Sequence, residues 1–392
     1  MADAGRVEIG LFVKIGPMRP TRTAIGTWSG GRFMHFGEPL AEERLIDLLR
    51  PGNGIDTVLS ADTYGSGEAD ILLGRAIEGV RRDSFSLVGA VGHDFYEGER
   101  QGPKGFPRFT DPSLRGPEQY ASYLRMAAER SLERLGAERF DLLLLHNPDR
   151  VGFTSEAVWA GMAALRDEGL AERIGIAPGP ANGFTLDLID CLERFGSLID
   201  WAMVILNPLE PWPGEMVLSA AERAQVDVIT RVVDYGGLFW GDVDPSTPLP
   251  EYDHRRFRPD GWIDAGRAKI GRLLEVAGKL GLTPMQLACA WNLAHPAVEC
   301  VVPTLIQESG EGARPIEEKR AELAALPEDV DLTDEDLIAI RTIGDNTGSM
   351  ALKGANPEYE GPEAADRWIL SDDLAAVAER SGIDPARDLV QR

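Results

Sequence analysis

The sequence predicts an α/β protein closed into a (β/α)8 TIM barrel, and three observations predict it. Short apolar runs alternate eight times with longer amphipathic stretches along a chain of 392 residues. The runs carry no polar alternation; Asp141-Leu142-Leu143-Leu144-Leu145 is typical, and such runs mark parallel strands covered on both faces. No Gly-x-Gly-x-x-Gly follows the first run, which counts against an open dinucleotide-binding sheet.

In order, the strand runs fall at residues 23–28, 55–59, 85–91, 140–145, 173–177, 201–206, 226–233 and 298–302. Helical patterns follow them at 42–49, 69–79, 117–135, 155–168, 185–195, 215–224, 264–280 with a second at 284–294, and 315–326. Two long loops interrupt the rhythm, 93–117 after strand three and 242–261 after strand seven. Both lie at the end of the barrel where strands finish and chemistry sits, and loops of that length often close over ligands. Residues 1–345 are read as the barrel and 346–392 as a C-terminal extension ending in a helix at 372–380. The extension either covers the barrel mouth or hangs free of it.

Hydrophobic residues make up 43% of the chain, enough for a large core, and the formal net charge is −24. So acidic a chain is a poor partner for nucleic-acid phosphates or an anionic membrane, and a small-molecule substrate is expected instead. Cys191, Cys289 and Cys300 show no metal or redox spacing, so no metal is expected and a reducing, cytoplasmic setting is. No run of about 18 apolar residues occurs, and the sequence does not speak to oligomeric state.

The stretch Gly54–Gly74, GIDTVLSADTYGSGEADILLG, presents Tyr64 at a strand end with Gly65 and Gly67 behind it. A phenol so placed can serve as proton donor or as core filler. This stretch resembles the second-strand signature of the aldo-keto reductase family. SLERLGAERFDLLLLHNPD, LRDEGLAERIGIA, VDVITR, GLTPMQLACAWNLAHPAVECVVP and LTDEDLIAI resemble later parts of the same family, in order, over roughly residues 20–345. The resemblance implies a barrel that binds NADPH and reduces a carbonyl with an Asp, a Tyr, a Lys and a His. Tyr64 and His146 match the Tyr and the His, but the Asp position is Leu59 and the Lys position is Ala90. The carboxamide-binding positions are also changed, to Ala177-Pro178 and Met203, and no phosphate-reading segment is recognisable after strand eight.

Without a neighbouring ammonium, burial raises a phenol's pKa rather than lowering it. The expectation is therefore a barrel with no cofactor, working by proton transfer beside a carbonyl (lyase, dehydratase or isomerase type) through Tyr64 and His146. A reductase that keeps NADPH through compensating contacts is the alternative, and a non-catalytic binding or regulatory barrel is another.

Trp28, Asp62, His93, Asn147, Asn207, Glu210, Trp212, Arg231, Asp234 and Tyr235 are the expected substrate-binding residues. Arg231 is read either as an anion-binding group or as the ion-pair partner of Asp234. His93 is read as a partial substitute for the lost Lys or as a surface loop residue, and Lys104 as a further source of the missing cation.

Overall fold

The computed structural model describes residues 20–102, 105–179 and 182–392. Eight strands pair in parallel in sequence order: β1 (Ala24–Gly26), β2 (Thr57–Leu59), β3 (Ser86–Val91), β4 (Phe140–His146), β5 (Ala171–Ala177), β6 (Trp201–Ile205), β7 (Asp227–Arg231) and β8 (Val298–Val302). A parallel bridge between Thr23 and Val301 joins the last strand to the first and closes the barrel. The expected fold class is the observed one.

The helices pack outside in the predicted order: α1 (Glu42–Leu49), α2 (Glu68–Ile77), α3 (Tyr120–Leu135), α4 (Arg150–Thr154), α5 (Glu156–Asp167), α6 (Thr185–Phe195), α7 (Leu218–Ala224), α8 (Trp262–Leu280), α9 (Pro284–Leu293), α10 (Ile316–Ala324) and α11 (Asp334–Gly344). Local chemistry sets several of their starts. Thr283 and Gln286 form a reciprocal capping box at α9, with Pro284 at the first position. Ser155 caps α5 by accepting the Val158 N–H.

Two apolar clusters result, as strand alternation dictates. Leu143 and Leu145 of β4 join the large cluster between strands and helices, whereas Leu142 and Leu144 point inward. Val88, Trp201, Met203, Ile229, Cys300 and Val302 fill the barrel with them. Trp201, only 1% exposed, is the largest of these, so the interior is a packed core and not a pore.

The extension forms a short parallel pair, β9 (Gly354–Asn356) and β10 (Arg367–Ile369), then α12 (Asp372–Arg380) and α13 (Pro385–Asp388). It folds back over the mouth of its own barrel. Trp368 packs against Phe184 at 5.5 Å between ring centres, and Arg380 pairs with Glu193 of α6 at 2.7 Å. Gly183 marks how close the tail comes: a Cβ there would lie 2.1 Å from the backbone N and O of Lys353.

Candidate active site

Strand alternation also selects the residues that meet at the mouth. His146 follows Leu142 and Leu144 on the inner face of β4, Ala90 follows Val88 on β3, and Arg231 follows Ile229 on β7. Tyr64 comes from the turn after β2 and packs on this inner cluster. The turn needs left-handed backbone: Gly65 has φ 58°, and a Cβ there would lie 2.9 Å from the Phe33 ring and from the Glu68 Cβ.

These residues line a cavity of about 1030 Å³, ample for a small molecule. Leu59 and Ala90 form part of its wall, so the positions expected to activate Tyr64 offer it only alkyl groups. The Tyr64 and His146 rings stand edge to face, 5.8 Å between centres. Burial pushes the phenol above its ordinary range, and the Arg231 charge opposes that shift. His146 is pushed well down, first by burial, then by the nearby His93, Arg108 and Arg231. Its Nδ1 is buried with no partner, which leaves Nε2 for a ligand. A depressed imidazole is a weak base and, when neutral, a hydrogen-bonding group.

The other expected residues divide. Trp28, Asn147, Glu210, Arg231 and Tyr235 line the cavity with Tyr64 and His146, whereas Asp62, His93, Asn207, Trp212 and Asp234 do not. Asn207 instead ties a turn, accepting from Leu209 and Glu210 N–H and donating to Val232 O. Trp212 donates through Nε1 to Asp388 O at 2.7 Å, anchoring the tail. Asp234 accepts from Trp240 Nε1 and from the backbone N–H of Thr304 and Leu305, and it is not the partner of Arg231.

His93 is 6% exposed, so it is no surface residue. Its Nδ1 lies 3.0 Å from Phe106 O and its Nε2 3.1 Å from Asn147 Nδ2. Burial and the Arg108 charge bring its pKa down to about 3, so it cannot replace a lysine's charge. Asp62 is fully buried with neither carboxyl oxygen hydrogen-bonded. Desolvation, with the charge of Asp70 next, pushes its pKa well up. Lys104 lies outside the described residues.

Sequence reasoning left the place of the tail open and named none of the tail residues that line the cavity. Asn346, Thr347, Ser349, Met350 and Lys353 line the cavity, and no residue pattern in that stretch signals it. It also missed Arg258, which lies within the long loop after strand seven. Arg258 faces the cavity, pairs with Glu210 at 3.1 Å and sits 4.4 Å over the Tyr235 ring.

The family model for the aldo/keto reductase family matches residues 24–337. The chain belongs to that family. A probable voltage-gated potassium channel β subunit from Arabidopsis thaliana is 24% identical over 305 residues, 73% of this chain and 85% of that protein. Among solved structures, the glycerol dehydrogenase of Gluconobacter oxydans superposes with a TM-score of 0.62 at 21% identity, covering 82% of this chain and 90% of that one. An aldo/keto reductase from Klebsiella pneumoniae, solved in complex with NADP and acetate, gives 0.54 at 21% identity, covering 82% and 91%.

The positions at which the family resemblance implies nicotinamide contacts carry other residues in this aldo/keto reductase barrel. Ala177, Pro178 and Met203 line the cavity where the carboxamide would need hydrogen bonds. The segment after β8 is covered by the chain's own β1 loop: Gly30 N–H donates to Leu305 O at 3.0 Å and Glu38 N–H to Gln307 O at 2.9 Å. Nearby basic groups that could meet a phosphate are already neutralised. Arg255 is held by Asp253 and Glu308 at 2.8 and 2.7 Å, and Lys319 by Asp242 at 2.7 Å, all five side chains buried.

Proposed function

We propose that the chain is an enzyme that polarises a substrate carbonyl and stabilises the enolate formed beside it, a lyase- or isomerase-type reaction that uses no nicotinamide. The observation that carries this reading is the composition of the cavity wall: neutral Tyr64 and His146 beside Leu59 and Ala90. Two neutral donors and a nearby cation suit an oxygen that gains negative charge during the reaction. A phenol with a raised pKa donates a hydrogen bond well and gives up its proton poorly. With Nδ1 buried, the Nε2–H tautomer of His146 would supply the second donor.

We assign the proton leaving the α-carbon to Glu210, the buried carboxylate of the cavity wall. The Arg258 and Asn207 contacts that hold Glu210 in place are consistent with that role.

Carbonyl reduction with NADPH is the second reading. It is favoured by family membership, by the NADP complex of the Klebsiella relative, and by Arg231 as the one cation acting on Tyr64.

Calorimetric titration with NADPH separates the two. No stoichiometric binding at micromolar levels is expected, and tight binding would make the protein a reductase. For the chemistry itself, 2-oxo acids and ketones incubated with the enzyme in D2O should exchange their α-protons. Tyr64→Phe, His146→Ala and Glu210→Gln should each slow that exchange by about a hundredfold or more; exchange that survives all three removes the site assignment.

A further inference from the structure

Arg231 ends β7 on the barrel's inner face and reaches the base of the cavity. Its Nη2 donates to the carbonyls of Pro178 and Gly179 at 3.0 and 2.7 Å, which fixes the guanidinium in place. Its Nε is buried and has no partner, so Nη1 is the nitrogen left to a ligand. Among the described residues no carboxylate forms an ion pair with it.

The other cations of the cavity wall differ. Arg258 has Glu210, Arg255 has Asp253 and Glu308, and Lys353 has Asp366 at 3.6 Å. Lys269, like Arg231, donates to two carbonyls, those of Gly344 and Asp345, but it also has the Asp345 carboxylate charge nearby. The chain holds 64 acidic residues against 40 basic ones, so acids are plentiful, yet none among the described residues forms an ion pair with the guanidinium that ends β7. A desolvated charge without a counter-charge is costly to keep. Filling the cavity with a neutral ligand would strip its remaining water and raise that cost; an anionic ligand would remove it.

We infer that the substrate carries a carboxylate that pairs with Arg231, so that the enzyme acts on oxo acids in preference to neutral ketones or sugars. This rests on the reading of Tyr64 and His146 as the carbonyl-binding pair. The rest of the wall specifies the substrate's body: Trp28, Met34, Phe36, Met203, Leu209 and Met350 offer apolar contact. One open nitrogen on one fixed guanidinium suits a single negative charge; a phosphate dianion calls for more than one cation.

The probes are 4-phenyl-2-oxobutanoate and its neutral primary amide, with Kd measured by calorimetry on the full chain. The wild-type protein is expected to bind the acid about tenfold or more tightly than the amide. Arg231→Gln should erase that preference by weakening the acid alone, and Arg231→Lys should restore part of it. Equal affinities in the wild type, or no saturable binding of either probe up to about 10 mM, would overturn the inference without any variant having to fold. A preference kept in Arg231→Gln would overturn it as well.

The outcome is separable from that of the functional reading. Tight NADPH binding would end the non-redox proposal and leave the acid-to-amide ratio standing. Exchange on neutral ketones with no acid preference would keep that proposal and end this one.

Discussion

The two sides of the barrel mouth satisfy their polar groups in opposite ways. On the side of β7 and β8, Arg255, Asp253, Glu308, Lys319, Asp242 and Asp234 are paired with one another or with backbone groups, and of these only Asp242 keeps a bare carboxylate oxygen. On the side of β2 to β4, His146 Nδ1 and both oxygens of Asp62 are buried with no partner, and Arg231, at the inner end of β7, likewise keeps a bare Nε. The paired side is structure, its charges spent on one another. The unpaired side has kept groups that cost stability, and such groups persist where a ligand uses them.

Three substitutions break or sharpen this contrast. The largest effect is expected from Lys319→Met on the paired side, which strands the Asp242 carboxylate in the interior. The expected loss is about 3–5 kcal/mol, read from urea denaturation; a loss under about 1 kcal/mol would show that the ion pair is not holding that side together.

Gly183→Ala comes next. Its new methyl would meet the Lys353 backbone at 2.1 Å, so the tail must lift from the mouth. A cost of about 1–3 kcal/mol is expected, together with proteolytic cutting between residues 345 and 370. An uncut tail would mean that the barrel and extension yield together.

The smallest effect has the opposite sign. Burial raises the Asp62 carboxyl pKa in the folded state above its unfolded value, so the folded protein binds this proton more tightly. Its contribution is therefore most favourable below the unfolded pKa and is lost as pH climbs through the raised folded one. Asp62→Asn should stabilise the protein at pH 8, by on the order of 1 kcal/mol, and give little at pH 4. A destabilisation at pH 8 would mean that the carboxylate does work the neutral amide cannot.

Much of this arrangement was legible in the sequence, for reasons that differ by element. Strand runs such as 142–145 stand out because parallel strands buried on both faces leave no polar residue in the run. His146 and Tyr64 could be placed because strand period and a quoted motif fix their face and their end of the barrel. Partnerships could not be read. Arg231 and Asp234 are three residues apart, yet one bonds to the turn after β5 and the other to the turn after β8. Closing the barrel sets those neighbours, and local spacing does not. For the same reason Trp212 looked like a cavity aromatic and is a tail anchor, and His93, open to a site or a surface reading, is buried against the Phe106 carbonyl of the long loop after β3.

The cavity wall also carries its own optical reporter. Of the eight tryptophans, Trp28 and Trp262 line the cavity, while Trp159, Trp201, Trp291 and Trp368 are each no more than 1% exposed. An occupant that displaces water from the mouth therefore alters the surroundings of two indoles against a constant background. A blue shift or quenching of intrinsic emission then becomes a label-free way to screen compounds for this site before any turnover assay exists.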